Sequence, residues 1–355
     1  MEHLAIDLGA RKSQICVRAS DGTVLIERKL ETAGIRGFLA QRPPSRVIVE
    51  TCAESFRVAD LALALGHEVR VVPATLVKTL GVGARKTKND RRDAQVLSEV
   101  SCRIELPSVH IPSPESRERK TICGMREALV SSRTQLINCV RGWLRTIGVP
   151  VKTGANGFAK RVREQHLAQQ TVAVPDYVEG MLQMIERHEY QIEQADKRLM
   201  KLAKADETCQ RLMTVPGVGP VTSVRFVAAL DDRTRFPSAH AVESYLGLVP
   251  GEYQSADTQH RLSITKAGST RLRWALIQAA WVARNTRPDD PMVLWSLEVE
   301  KRRGKRIAVV ALARKLAGIL FALWRDKESY DPRCGANKPS LDLPAETIRA
   351  ALQQT

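Results

Sequence analysis

Four acidic residues near the start of the chain, Asp7, Glu50, Asp90 and Asp93, have the type and spacing to hold a divalent cation. Asp7 closes the apolar run Leu4-Ala5-Ile6, and Glu50 closes the run Val47-Ile48-Val49. The pattern predicts a strand for each run with a carboxylate at its end, which is where open α/β sheets place their sites. Asp90 and Asp93 are three residues apart and so share one face of a helix. Hard cations such as Mg²⁺ take oxygen ligands and keep several waters. Two such ions can activate an attacking oxygen and stabilise a leaving one in phosphoryl transfer. Taken singly, each acid has an ordinary use, as a turn residue after a strand or as a first-turn partner of a helix dipole. What joins them is their order: strand Asp, strand Glu, then Asp-x-x-Asp on a helix. Arg85, Lys86, Lys88, Arg91 and Arg92 flank the last pair with charges that suit a phosphate backbone.

The elements that must position these acids can be read from the same stretch. A second strand is predicted over 14–19, Asp21 and Gly22 mark a hairpin, and a third strand runs over 23–30. A helix over 56–65 ends at Gly66, a strand follows over 68–72, and Asn89 is a candidate N-cap for a helix over 90–100. Three strands in hairpin succession, then β-α-β and a helix, form the arrangement expected of a ribonuclease-H-like, RuvC-like nuclease domain. Actin-like kinases also open on a strand, an Asp and a hairpin. They need a glycine- and Ser/Thr-rich turn for phosphate and a second similar domain. The turn here, Leu8-Gly9-Ala10-Arg11-Lys12, is poor in glycine, and no repeat follows.

The chain has 355 residues and a net charge of +16, with a pI of about 9.8. A balance this basic points to an anionic polymer, usually nucleic acid. The charge is spread as +4, +5 and +7 over residues 1–107, 108–206 and 207–355, so a long binding surface is expected rather than one basic tail. The seven cysteines are scattered and lack CxxC spacing, which indicates neither a zinc site nor a disulfide framework. With no uninterrupted apolar stretch of membrane-spanning length and no basic leader, the expectation is a cytoplasmic, nucleoid-associated protein without a membrane partner.

A Pro/Ser-rich joint spans 107–114. Beyond it, two helices are predicted from apolar residues in steps of three and four: Ile122, Met125, Leu129, Ser132, Leu136, Cys139 and Trp143, then Val178, Met181, Ile185, His188, Ile192, Ala195, Leu199 and Leu202. Each carries one narrow seam of coiled-coil type, which offers a route to a dimer or tetramer. His188 in the second seam reads as a register-setting or tolerated polar residue rather than a ligand. Residues 148–174 read as the connection between the helices. Further on, Val215-Pro216-Gly217-Val218-Gly219-Pro220 separates two short helical patterns and resembles a helix-hairpin-helix. Gly217 and Gly219 would expose N–H groups to a DNA phosphate there, although an ordinary tight turn has the same pattern. A short helix over 241–246, a loop through Ser263 and helices over 269–284 and 306–324 follow. The tail from 332 reads as loose, apart from a short helix over 344–351.

The most specific signature lies in this last part: Gly247-Leu248-Val249-Pro250 leading to Ser255, then Lys266-Ala267-Gly268, then Arg271-Leu272-Arg273. By composition Ser255 is a loop serine. With these residues and the acids together, the chain resembles the bacterial insertion-sequence transposases that pair a RuvC-like DEDD domain with a serine-bearing C-terminal domain, the bridge-RNA-guided recombinases. The likeness runs from Asp7 to about Trp281. Asp7, Glu50, Asp90 and Asp93 fall in the DEDD positions, within Lys88-Asn89-Asp90-Arg91-Arg92-Asp93-Ala94 for the last two. Ser255 falls at the family's catalytic serine, with Ser263 and Ser269 as lesser candidates. A glycine often follows that serine, and here Ala256 stands in its place.

The resemblance implies a division into a DEDD metal domain at 1–107, a helical coiled-coil region at 108–206, a serine-bearing transposase domain at 207–331 and a tail at 332–355. It further implies Mg²⁺ on the four acids, attack of Ser255 on double-stranded DNA through a covalent phosphoserine, and a structured guide RNA that selects donor and target. Lys86, Lys88, Arg91, Arg92, Lys266, Arg271 and Arg273 would contact nucleic acid. The acids and the serine, far apart in sequence, would meet across protomers of a homo-oligomer. Two other readings fit part of the pattern. One is a metal-dependent structure-specific nuclease resembling a Holliday-junction resolvase, with Ser255 structural. The other is a non-catalytic DNA-binding protein.

Overall fold

The computed structural model describes residues 1–77, 90–150, 154–169, 174–255 and 258–335, and it divides into two compact units after Ser113. The expected contributions of Arg85, Lys86, Lys88 and Asn89, and the helix over 344–351, lie outside the described residues.

The first unit is mixed α/β. Its elements are β1 (His3–Asp7), β2 (Lys12–Arg18), β3 (Val24–Glu31), α1 (Ile35–Ala40), β4 (Arg46–Glu50), α2 (Ser55–Ala64), β5 (Glu68–Val72), α3 (Ala74–Val77) and α4 (Asp90–Arg103). The sheet order is β3-β2-β1-β4-β5. β1 runs antiparallel to β2 and parallel to β4, and β4 runs parallel to β5. The central strands are apolar on both faces because both faces are covered. Leu4, Ile6, Val47 and Val49 pack with Ile35, Phe38 and Leu39 of α1 and Val58, Ala59 and Ala62 of α2. Their alternates Ala5, Ile48 and Val72 pack with Leu97 of α4. The outer strand β3 carries Glu27, Arg28 and Lys29, charges that suit an edge.

The second unit is mostly helical. It contains α5 (Pro114–Thr146), α6 (Phe158–Gln169), α7 (Asp176–Ala205), α8 (Glu207–Leu212), α9 (Pro220–Leu230), α10 (Ala239–Tyr245), β6 (Pro250–Ser255), β7 (Thr258–Ile264), α11 (Thr270–Thr286), α12 (Pro291–Arg303) and α13 (Lys305–Asp326). α5 and α7 pair antiparallel. Leu144 packs with Val178 and Leu182 at one end, and Cys123 with Leu199 and Ala203 at the other. On α7 the buried residues Val178, Ile185, Ile192 and Leu199 recur every seven positions. On α5 the buried line is Cys123, Ile137, Val140 and Leu144, whereas Met125 of the expected seam is 65% exposed and Cys139 is also exposed. His188 is half-buried, with Nδ1 2.7 Å from the carbonyl oxygen of Met184 one turn earlier.

Several elements differ from the sequence expectation, α1 and α3 of the first unit among them, where no helix was predicted. The segment read as a connection contains α6, whose Phe158, Ala159 and Val162 close the far end of the helix pair. The segment read as a loop through Ser263 is the antiparallel hairpin β6–β7. α12, capped by Asp290 with Pro291 at its first position, was not expected at all. α13 is long and apolar enough to cross a membrane by length and composition alone. Here it is a core helix: Ala308, Leu312, Ala313, Leu316, Ala317 and Leu320 are fully buried in the main cluster of the unit.

Candidate active site

Asp7 and Glu50 end neighbouring parallel strands. The register pairs Ile6 with Val49, so the two acids come next to each other at the same end of the sheet. The pleat alternates faces at each residue. Asp7 therefore shares the face of Ala5, and Glu50 the face of Ile48, which is the face covered by α4. The end of β4 is pinned beyond Glu50 by Thr51, whose Oγ1 donates to the Val72 carbonyl at 3.1 Å and accepts from the Ala74 N–H at 2.8 Å.

Two anchors set the level of α4 on that face. His3 Nδ1 lies 2.8 Å from Ser101 Oγ, and Ser98 Oγ donates to Cys16 Sγ at 3.2 Å. From Ser101 back to Asp93 is eight residues of helix, about 12 Å. From His3 forward to Asp7 is four residues of strand, about 13 Å. The second anchor agrees, since Cys16 pairs with Ala5, two residues before Asp7, and Ser98 follows Asp93 by five. Asp93, 4% exposed, thus stands level with Asp7. Asp90 opens the same helix, and its side chain lies outside the described residues. Among the described residues no three His, Cys, Asp or Glu side chains stand close enough to hold a metal ion. What the sheet and α4 bring together is the placement of Asp7, Glu50 and Asp93 on one face and at one end. Oxygen donors so placed are the kind a hard divalent cation takes.

Of the basic residues flanking the acids, Arg91 is ion-paired with Glu27 on β3, which also accepts from Gln95 at 2.9 Å. The Arg91 hydrogen bond, more than any other effect, holds the Glu27 carboxyl below the usual range. Arg92 is exposed.

In the second unit the signature residues converge on the root of the β6–β7 hairpin. Gly247 has φ of 66°, and a Cβ there would sit 2.2 Å from the Ala267 carbonyl oxygen. Gly268 has φ of 71°, and a Cβ there would sit 2.0 Å from the Tyr245 carbonyl oxygen. The two loops therefore touch backbone to backbone, and only glycine permits it. Arg273, 7% exposed, clamps them. Its Nη1 donates to the carbonyls of Leu246, Ala267 and Gly268 at 3.0, 2.5 and 3.1 Å, and its Nη2 to Thr270 Oγ1 at 3.1 Å. With Nη1 on three main-chain oxygens and Nη2 on Thr270, Arg273 builds the loop. Lys266 is exposed with φ of 58°. Ser269 accepts from the Leu272 N–H as the N-cap of α11, and Ser263 lies on β7. Ser255 is the last residue of β6, paired with Thr258 at the far end of the hairpin from that clamp.

Comparison with known proteins accounts for both units. A DEDD model for transposases of the IS110 type matches residues 4–149, and a model described as transposase of the IS116/IS110/IS902 family matches residues 209–291. The transposase for insertion sequence element IS1111A of Coxiella burnetii is 30% identical over 340 residues, covering 94% of this chain and 92% of that protein. The chain belongs to the IS110/IS116 transposase family. The IS1328 transposase of Yersinia enterocolitica is 28% identical, covering 90% of this chain and 96% of its own. The pilin gene-inverting protein of Moraxella bovis is 25% identical over 288 residues, covering 78% of this chain and 79% of its own. The protein is therefore an enzyme that acts on DNA.

In this transposase the 216–219 turn between α8 and α9 has a packing duty. Gly217, at φ of 82°, lies so close to α11 that a Cβ would sit 2.1 Å from the Ala279 carbonyl oxygen. Gly219 is the N-cap of α9, makes no side-chain cap bond and precedes Pro220 at the first position. The turn borders an open groove of about 720 Å³ whose rim includes Thr214, Gly219 and Arg287. Cys209, fully buried beneath it, has its thiol pushed up to about 12 by burial first and Asp206 next, so it is an inert core residue.

Proposed function

We propose that the chain is a Mg²⁺-dependent transposase whose acids serve metal chemistry and whose Ser255 makes a transient bond to DNA. The observation that carries this is the common face and level of Asp7, Glu50 and Asp93 at one end of the sheet. The strand order supports a ribonuclease-H-like, RuvC-like first unit. Asp7, Glu50, Asp90 and Asp93 would hold the cation. Like charges keep such acids apart, and a divalent cation makes their convergence favourable. When bound, it supplies positive charge to a phosphodiester and lowers the cost of forming an alkoxide.

Ser255 Oγ attacks the DNA phosphorus, and the bond from phosphorus to the deoxyribose oxygen breaks. The serine proton leaves with the freed hydroxyl, and a phosphoserine ester remains. An incoming deoxyribose hydroxyl then reverses the step, giving its proton to the departing serine. No bond is lost to water. The Gly247–Gly268 contact and the Arg273 clamp support the serine by fixing the root of the hairpin that carries it. The pilin gene-inverting relative supports a rejoining rather than a merely cutting enzyme. The α8–turn–α9 unit, with its open helix end at Gly219, acts as a helix-hairpin-helix on the DNA backbone. The charge of +16 spread along the chain supports a further long partner, a structured guide RNA. The α5–α7 pair acts as the coiled coil through which protomers associate.

The test is a denaturing gel of wild type and Ser255→Ala incubated with Mg²⁺, guide RNA and labelled donor and target DNA. Wild type gives a detergent-resistant protein–DNA adduct and recombinant product, and Ser255→Ala gives neither. Recombination surviving in Ser255→Ala would leave the acids as a water-using nuclease site.

A further inference from the structure

Within the second unit, α5, α9, α10 and α11 border a half-open cavity of about 290 Å³ beside the Gly247–Gly268 contact, lined by Lys120, Arg225, Arg271, Tyr245 and Ser269. None of its cations is near another in sequence, so no motif announces it. Arg225 is 8% exposed. Its Nη1 donates to Glu127 Oε2 at 3.1 Å and to the Arg271 carbonyl at 3.2 Å, and its Nη2 donates to the Cys123 carbonyl at 3.1 Å. Its Nε is buried without a hydrogen-bond partner. The same Glu127 oxygen also serves Arg271, 3.3 Å from its Nε, so one carboxylate stands between two guanidinium groups. Lys120 is held below the ordinary ammonium range by burial first. Asp231 opposes that shift and Arg235 adds to it. Arg235 is itself stacked over the Phe236 and Tyr245 rings. Glu127 thus serves Arg225 and Arg271, while Asp231 and Arg235 act on Lys120 with opposite sign. Arg225 is buried and shares the Glu127 carboxylate with Arg271, whose side chain is 64% exposed.

We propose that this cavity is a phosphate-binding pocket that seats one phosphodiester of the DNA strand, with Lys120 and Arg271 at the phosphate and Arg225 as the fixed charge behind them. Arginine with a lysine point charge is the pairing phosphate sites use. The position next to the hairpin root gives the pocket a purpose: a strand held here is held at a fixed distance from β6 and β7. The proposal rests on DNA being the substrate and does not depend on the chemistry of Ser255.

The experiment measures duplex-DNA affinity against salt concentration, in EDTA so that no strand is cut, for the full chain, Lys120→Gln, Arg271→Gln and the control Lys301→Gln. Lys301 is exposed and paired with Glu298 at 2.7 Å, away from the cavity. Loss of one phosphate contact lowers the salt slope by about 0.9 and the affinity at 0.1 M salt by about 8-fold. Lys120→Gln should show both, with an unchanged melting temperature, while Lys301→Gln shows neither. Arg271→Gln leaves Glu127 with one partner fewer, so Lys120→Gln decides should that variant fail to fold. An unchanged slope for Lys120→Gln overturns the proposal. So does a loss confined to RNA of the same sequence with duplex DNA unaffected. Because cleavage is never read, failure here is distinguishable from failure of the serine mechanism.

Discussion

In the first unit the motif residues are acids at the ends of strands that Leu4, Ile6, Val47 and Val49 hold in place, whereas in the second unit they are glycines and an arginine that make the backbone itself. Removing the Asp7 carboxylate would take an oxygen donor from the strand end and leave the sheet. Removing the hydrogen of Gly268 in favour of a methyl takes away the loop on which chemistry would stand. A motif therefore does not say what its residues do. An acid at a strand end can be exchanged without unmaking the strand, because its apolar neighbours carry the folding energy. A glycine at positive φ with a carbonyl 2.0 Å from its absent Cβ is already spent on geometry.

The sharpest way to break this contrast is at the acids. Asp7→Asn should lower DNA cleavage at saturating Mg²⁺ by about 10³-fold, the scale on which a catalytic electrostatic group acts. The melting temperature should hold or rise, because one of several like charges is removed. Activity within tenfold of wild type would take Asp7 out of the chemistry and return it to the role of a turn residue. Gly268→Ala tests the other side. It should cost the second unit about 3 kcal/mol from strain and contact, and leave the first unit's transition alone. For a unit of this size that is roughly 6–12 °C in melting temperature. A Gly268→Ala protein with native stability would mean that the loop has room, and that its glycine serves a ligand after all.

The places of the acids in the fold were legible because strand ends and an i,i+3 pair are local patterns, and the sheet that carries Asp7 and Glu50 is built from short apolar runs that announce themselves. Much of the second unit was not legible in that way. β6 and β7 are rich in Gly, Gln, Ser and Thr and lack the apolar alternation by which a strand is read from sequence. α6 hides behind Gly148, Pro150, Gly154 and Gly157, yet Phe158, Ala159 and Val162 bury themselves on the neighbouring pair. α12 buries only Met292, Val293 and Ser296, too few for a stripe. Arg273 sits in a basic stretch with Arg271, and nothing local distinguishes the exposed one from the one clamping three carbonyls. The Lys120, Arg225 and Arg271 cavity needs three distant segments to meet, and no window of sequence contains them.

The smallest expected effect lies in how the first unit sets its acids level. His3 is 7% exposed, and its bond to Ser101 ties α4 to β1. Burial first, then Arg46 and the N-terminal ammonium, hold the His3 imidazole below its ordinary 6.5, with Glu68 opposing. The folded unit therefore resists a proton that the unfolded chain accepts. As the pH falls below 6.5 the unfolded state gains that proton first, so this part of the stability is present above 6.5 and is lost on the way down to the folded value. Thermal melts between pH 7 and pH 5 should show the first unit losing stability, with a shallower slope in His3→Gln, while the second unit's transition does not respond to the substitution. Parallel slopes in wild type and variant would show that other groups carry the acid sensitivity. A flatter slope would instead tie proton uptake at one end of β1 to the contact that places Asp93 beside Asp7 at the other, and the contrast between the units would then extend to pH.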